Sequence, residues 1–203
     1  SVGKVRLRLT GRGNDLESLE LIAEELSKKA FKAIQKYVYS TTEISFETVL
    51  GEMLRERGLT LGTAESCTGG YISHLLTSIS GASDYFKGSI VSYSNEIKEE
   101  VLGVNSETLK QHGAVSEETV QEMLKGALKN LNVDIAIAVS GVAGPSGGSS
   151  EKPVGCVFIG IANQNKSVVK KLQFTQNRER NIQLSAITAL VMLKKFLLEE
   201  YVN

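Results

Sequence analysis

Apolar and polar residues change period along this chain, and each change marks an element. Residues 5–10, VRLRLT, alternate strictly, with Val5, Leu7 and Leu9 on one side and Arg6 and Arg8 on the other. That period of two predicts a half-buried strand. After the turn GRGND, apolar residues fall at helical spacing (Leu16, Leu19, Ile22, Ala23, Leu26, Ala30, Ala33), which predicts an amphipathic helix. YVYST (37–41) reads as a second short strand, completing a small β-α-β piece too small to fold well alone. The polar stretch STTE (40–43) is the expected domain boundary, giving an appendage over 1–42 and a main domain over 43–203.

The main domain alternates helices with strands. A helix over about 44–57 stops at Gly58, LTLGTAE (59–65) reads as a strand, and 68–79 reads as a helix. GSIVSYS (88–94) is a strand, followed by a short helix from Asn95 to about Leu102. AVSEETVQEMLKGALKNL opens on Ser116 as an N-cap, with Glu117 and Glu118 at the positive end of the helix dipole and Val115 stapled to Val120. VDIAIAVS (133–140) is apolar and has the length of a buried strand. VGCVFIGIA and SVVKKLQF pair through the hairpin loop NQNK. A long final helix carries Ile182, Ala186, Leu190, Leu193 and Leu197 on one face. This order predicts an α/β class: a layered α/β/α domain with a mixed, partly parallel sheet.

Composition narrows the function classes. The chain has 203 residues, 41% of them hydrophobic, and a formal net charge of zero, which argues against nucleic acid held on a broad basic surface. Two cysteines make no disulfide framework, so reduced thiols in a cytoplasmic protein are expected. No signal peptide and no membrane-spanning run is evident, and no membrane partner is expected. The opening SVGKV lacks an initiator Met, as a piece of a longer chain does.

Candidate chemistry centres on TAESCTGG (63–70), a polar turn between a strand and a helix. Ser66 stands at the expected helix start, where free N–H groups can hold an anion or the oxyanion of a tetrahedral intermediate. Gly69 and Gly70 let the backbone approach a ligand. The same spacing equally suits an N-capping serine. A serine nucleophile needs a base, and neither histidine is well placed: His74 lies two turns along the helix and His112 ends a charged helix. VSYSNEIK supplies Tyr93 and Lys98. On one continuous helix they would stand roughly 140° apart, but they can converge across a strand-to-helix corner capped by Ser94 or Asn95. A buried lysine loses its charge readily and can serve as a base, although a surface Lys and a core Tyr fit the same letters.

A second loop, GVAGPSGG, follows the buried strand. Gly141, Gly144, Gly147 and Gly148 free N–H groups for an anion nest, Ser140 and Ser146 add hydroxyls, and Arg178 of QNRER can grip a phosphate. A phosphorylated small ligand follows, with a solvated loop and a surface Arg as the plain alternative. The loop is not a Walker motif, because no Gly-Lys-Ser/Thr follows. No His/Cys/carboxylate cluster has ligand spacing, so neither a metal nor a cofactor is expected.

AESCTGG, GxxVSYSNEIKxxxLGV, GAVSEET, AVSGVAGPSGG and the helix opened by Arg178 occur in this order over roughly 44–200. In these the chain resembles the C-terminal domain of the CinA (competence/damage-inducible) family, the nicotinamide-nucleotide amidases. Residues 1–42 look like the end of that family's KH-like middle domain, without a GxxG loop, so RNA binding does not follow. The resemblance implies hydrolysis of nicotinamide mononucleotide to nicotinate mononucleotide and ammonia, in pyridine nucleotide salvage. It implies Ser66 as nucleophile with help from Tyr93 and Lys98, and Cys67 and Thr68 contributing backbone N–H groups. It implies Glu65, Gly69, Gly70, Ser140, Gly141, Gly144, Gly147 and Arg178 around the substrate and its phosphate, and a homodimer. The competing reading is a non-catalytic nucleotide-binding or scaffold module linked to competence or DNA damage.

Overall fold

The computed structural model describes residues 5–199. Five strands form one sheet: β1 (Leu61–Glu65), β2 (Phe86–Val91), β3 (Ile135–Gly141), β4 (Cys156–Ala162) and β5 (Ser167–Gln173), in the order β2-β1-β3-β4-β5. β1 runs parallel to β2 and β3, while β3/β4 and β4/β5 are antiparallel. The mixed sheet is therefore as the alternation of elements predicts. VDIAIAV occupies the middle because it is apolar on both faces, and only a central strand covered on both sides buries both. Edge strand β5 has only exposed and half-buried positions and carries Lys170 and Lys171, which discourage pairing with another edge. The NQNK loop closes the β4–β5 hairpin, with the Asn163 side chain accepting the N–H groups of Asn165 and Lys166.

Helices cover both faces. On one lie α2 (Phe46–Glu56), α3 (Tyr71–Thr77) and α7 (Arg178–Leu197), burying Leu50, Ile72, Ala186, Leu190 and Leu193 against Leu61, Ile137, Val139 and Ile159. On the other, α5 (Ser106–His112) and α6 (Glu117–Leu131) bury Leu109, Val120, Met123 and Leu124 against Ala64, Ala136, Ala138 and Phe158. The alanines on that face let α6 sit close. Gly126 does the same on the helix's far side, where a Cβ would fall 2.0 Å from the Leu102 carbonyl oxygen. Ser116 caps α6 as the sequence predicts, accepting the Thr119 N–H, and Ser45 and Asn177 cap α2 and α7 in the same way through the N–H groups of Thr48 and Arg180.

The N-terminal piece differs from expectation. The helix is there, as α1 (Leu16–Ile34) capped by Asp15, but none of its residues is buried. Residues 5–10 and 37–41 hold no strand, and Tyr37 closes a short 3-10 turn instead. Alternation predicts a strand only where a neighbour completes the ladder, and among the described residues neither segment has one. No helix among the described residues is long and apolar enough to cross a membrane.

Candidate active site at the ends of three parallel strands

From β1 the chain passes through α3 on one face of the sheet to β2. It returns through α4 (Asn95–Glu100), α5 and α6 on the other face to β3. Successive connections leaving on opposite faces open a crevice at the strand ends between β1 and β3, where α/β proteins bind ligands. The turn after β1, the corner after β2 and the glycine loop after β3 all border it. The ladder holds them in register one residue past the strands. The Ser66 N–H donates to the Val139 carbonyl at 3.0 Å, and the Ser92 N–H donates to the Glu65 carbonyl at 2.9 Å.

Ser66 does not cap α3. That helix starts at Tyr71, later than predicted, behind Gly70 in the left-handed region at φ 95°. Its first N–H groups are already occupied: those of Gly70, Ile72 and Ser73 donate to the Glu65 carboxylate at 3.1, 3.0 and 2.9 Å, and the Ser73 hydroxyl donates to it as well. Glu65 is fully buried and neutralises the positive end of α3 with the chain's own charge. An incoming anion finds no site there, and Glu65 would repel it. Of the N–H groups left in the turn, that of Thr68 meets no acceptor among the described residues. That of Cys67 likewise has no hydrogen bond among the described residues.

Lys98 reaches Ser66 from α4, whose N-terminus Ser94 caps through the Ile97 N–H. The side chain is 1% exposed, and Nζ lies 3.1 Å from Ser66 Oγ, 2.6 Å from the Ser92 carbonyl and 3.4 Å from the Ser94 carbonyl. No carboxylate pairs with it among the described residues. Burial lowers its pKa below the ordinary lysine value, with Cys67 and Glu96 pulling weakly the other way. As the ammonium, Nζ donates to all three oxygens; once the proton is lost, two N–H donors remain for the carbonyls and a lone pair is free to accept the Ser66 proton.

Cys67, the neighbouring candidate, is buried, and burial pushes its thiol up to about 12. So raised, the thiol stays protonated near neutral pH, which argues against Cys67 as the attacking group. A Cys67→Ala variant is expected to keep its rate within about twofold of wild type. An unfolded control should react with iodoacetamide at both cysteines and the native protein at neither, since Cys156 is also buried. A dead Cys67→Ala variant would overturn this choice.

Tyr93 and Lys98 do not converge. Tyr93 is 59% exposed, and its hydroxyl accepts a hydrogen bond from Arg178 Nη2 at 2.7 Å. Arg178 Nη1 donates to the Gly144 carbonyl at 2.7 Å. Since β1 lies between β2 and β3, this Tyr93–Arg178–Gly144 bridge spans the end of the strand that carries Ser66. In the glycine loop, Gly141 leaves no room for a Cβ, which would fall 2.6 Å from Val157, while Gly144 and Gly147 hold φ of 91° and 88°. The Ser140 hydroxyl is turned to the Ala114 carbonyl at 2.6 Å. Neither His74, stacked on Tyr71, nor His112, 3.4 Å from Glu118, bonds to Ser66.

Sequence reasoning missed Asn181. It is 1% exposed, its Nδ2 donates to the carbonyls of Ala143 (2.9 Å) and Thr175 (3.0 Å), and its Oδ1 accepts from the Thr175 N–H and hydroxyl. Asn181 and Arg178, one turn apart on α7, thus hold the consecutive carbonyls of Ala143 and Gly144. The only signal in the letters is a polar residue on the otherwise apolar face of a helix.

Residues 43–197 match the family model of the CinA C-terminal domain. A CinA-like protein of Cytophaga hutchinsonii is 44% identical over 98% of this chain, and a putative competence-damage inducible protein of Caldanaerobacter subterraneus is 43% identical over 96%. The chain spans about half the length of these curated relatives, 48% and 47%. Among solved structures, a CinA superfamily protein of Klebsiella pneumoniae superposes with a TM-score of 0.74 at 36% identity. The match covers 76% of this chain and 96% of that one. A competence/damage inducible protein of Agrobacterium tumefaciens gives 0.70 at 37% identity, over 76% and 98%.

Proposed function

Since the chain belongs to the CinA family, with its C-terminal domain over residues 43–197, we propose that it is a serine amidohydrolase that cleaves the carboxamide of nicotinamide mononucleotide. The observation that carries this reading is Lys98 Nζ, buried without a counter-ion among the described residues, 3.1 Å from Ser66 Oγ. Ser66 Oγ attacks the amide carbon while its proton passes directly to Lys98 Nζ. The negative oxygen of the tetrahedral intermediate meets the N–H groups of Cys67 and Thr68. The C–N bond then breaks, the nitrogen takes the proton from the Lys98 ammonium, and ammonia leaves. Water, giving its proton to Lys98, attacks the resulting ester; as the bond to Ser66 Oγ breaks, the Lys98 ammonium returns that proton to Oγ, releasing nicotinate mononucleotide.

In this mechanism Tyr93 acts through Arg178 and not on Ser66. The ribose 5′-phosphate sits on Arg178 and the N–H groups of the Gly144–Gly147 loop, in a cradle held by Asn181. Arg178→Ala is expected to raise KM for the mononucleotide about 10- to 100-fold with little change in kcat, and to leave the riboside, which has no phosphate, unaffected. Equal losses on both compounds would remove the phosphate from this position.

The deciding experiment is ammonia release from nicotinamide mononucleotide by the purified protein, with nicotinamide riboside and simple amides for comparison. Release from the mononucleotide in preference to the others supports the reading. Binding of the mononucleotide with no ammonia over hours would replace it with a non-catalytic nucleotide-binding module.

A further inference from the structure

Three serines stand in a row at the strand ends. Glu65 pairs with Val91 on one side and Val139 on the other, and the ladder continues one step through the Ser92 and Ser66 N–H groups. Ser92, Ser66 and Ser140 are therefore neighbours on β2, β1 and β3, about 4.8 Å apart along the row. Two residues earlier, Ile90, Ala64 and Ala138 all face the core under α6. By alternation the three serines face that same side, from which Lys98 reaches in.

The three hydroxyls have different fates. Ser66 Oγ meets Lys98 Nζ, and Ser140 Oγ donates to Ala114. Ser92 Oγ, fully buried, has no partner. Among the described residues only one other buried side-chain oxygen or nitrogen lacks one, Thr68 Oγ1, and it lies in the same site. Buried hydroxyls without partners are rare because the water they lose is not replaced, so two at one site mark the place of a polar ligand. The position of Ser92 narrows which ligand atom it meets. Its carbonyl is 2.6 Å from Lys98 Nζ, so it belongs to the lysine side of Ser66. The oxyanion N–H groups of Cys67 and Thr68 belong to the turn that follows Ser66. A carboxamide carbon seated on Ser66 with its oxygen toward that turn has its nitrogen toward Lys98 and Ser92.

The geometry points to Ser92 as a further catalytic residue, whose hydroxyl binds the nitrogen of the scissile amide. Ser92 Oγ accepts one amide N–H and turns the nitrogen's emerging lone pair toward Lys98. When the C–N bond breaks, its electron pair takes the proton from the Lys98 ammonium, and Ser92 keeps its own. This step rests on the amidase reading above, and it adds a preference for amides over esters, since an ester offers no N–H to hold.

The test is Ser92→Ala in the full chain, with melting temperature, kcat and KM on nicotinamide mononucleotide and on the methyl ester of nicotinate mononucleotide. The amide rate is expected to fall about 10- to 100-fold, comparable to the loss of one polar contact in a hydrolase site. The ester rate is expected to change by less than about threefold, and the melting temperature to hold or rise, because the hydroxyl removed satisfies nothing in the free protein. An amide rate within twofold of wild type, an equal fall on amide and ester, or a lower melting temperature would each overturn the proposal. If wild type leaves the mononucleotide untouched, the substrate reading fails by itself. Para-nitroacetanilide against para-nitrophenyl acetate then tests Ser92 in the same amide-to-ester comparison.

Discussion

Ser66→Ala is expected to lower ammonia release from nicotinamide mononucleotide at least a thousandfold, the scale seen when a covalent nucleophile is removed. The fold should not notice. Ser66 is held by its backbone, through its N–H on Val139 and its carbonyl under the Gly69 N–H, and alanine keeps both. Its hydroxyl meets only Lys98. A circular dichroism spectrum and melting temperature like wild type, together with lost turnover, would place the loss in the chemistry. Residual activity within tenfold of wild type would show that water is activated without an acyl-enzyme, and the covalent mechanism would fall.

Lys98→Met is expected to be equally inactive, and informative about pH as well. Methionine fills a similar volume in a site that is 1% exposed. In wild type, kcat/KM should rise with pH through a pKa below the ordinary lysine value, because the base is the neutral amine and burial disfavours the ammonium. The stability prediction follows from the same shift. The unfolded chain holds this proton up to the ordinary lysine pKa, and the folded chain releases it earlier. Wild-type stability therefore rises with pH between the lowered folded value and the unfolded one, and below that window the folded state bears the buried charge. The methionine variant should lack this rise and melt within about 5 °C of wild type at pH 7, because the lost polar contacts are offset by removing a buried amine that has no carboxylate partner among the described residues. A flat pH–rate profile in wild type, or a variant that retains activity, would remove Lys98 as the base.

The mixed sheet could be read from the letters because its strands are buried in distinct ways. The run IAIAV (135–139), apolar on both faces, suits a central strand, and SVVKKLQF, with its lysines, suits an edge. The caps Ser116 and Ser94 were equally legible, because each acts on an N–H group three residues away. The N-terminal strands were not, because alternation says nothing about whether a partner exists. The start of α3 was misplaced for a related reason. Glu65, which fixes where the first turn begins, bonds to residues five to eight positions ahead of it, and the local pattern does not encode that reach.

The sequence by itself determined the class of fold, the polar turn that carries Ser66, the poor placement of both histidines and the candidacy of Lys98, since all of these depend on residue type and local spacing. Only the tertiary structure decided which groups meet. Lys98 bonds to Ser66 across 32 positions, Tyr93 to Arg178 across 85, and Asn181 to the glycine loop across 38. Such contacts are set by the order of strands in the sheet and by the face on which each connection crosses. Burial, which follows from the same packing, lowers the pKa of Lys98 and raises that of Cys67, as the proposed roles of the two require. A lysine and a cysteine carry those side chains wherever they fall in a chain, but the loss of water that shifts them exists only once the helices have closed over the sheet.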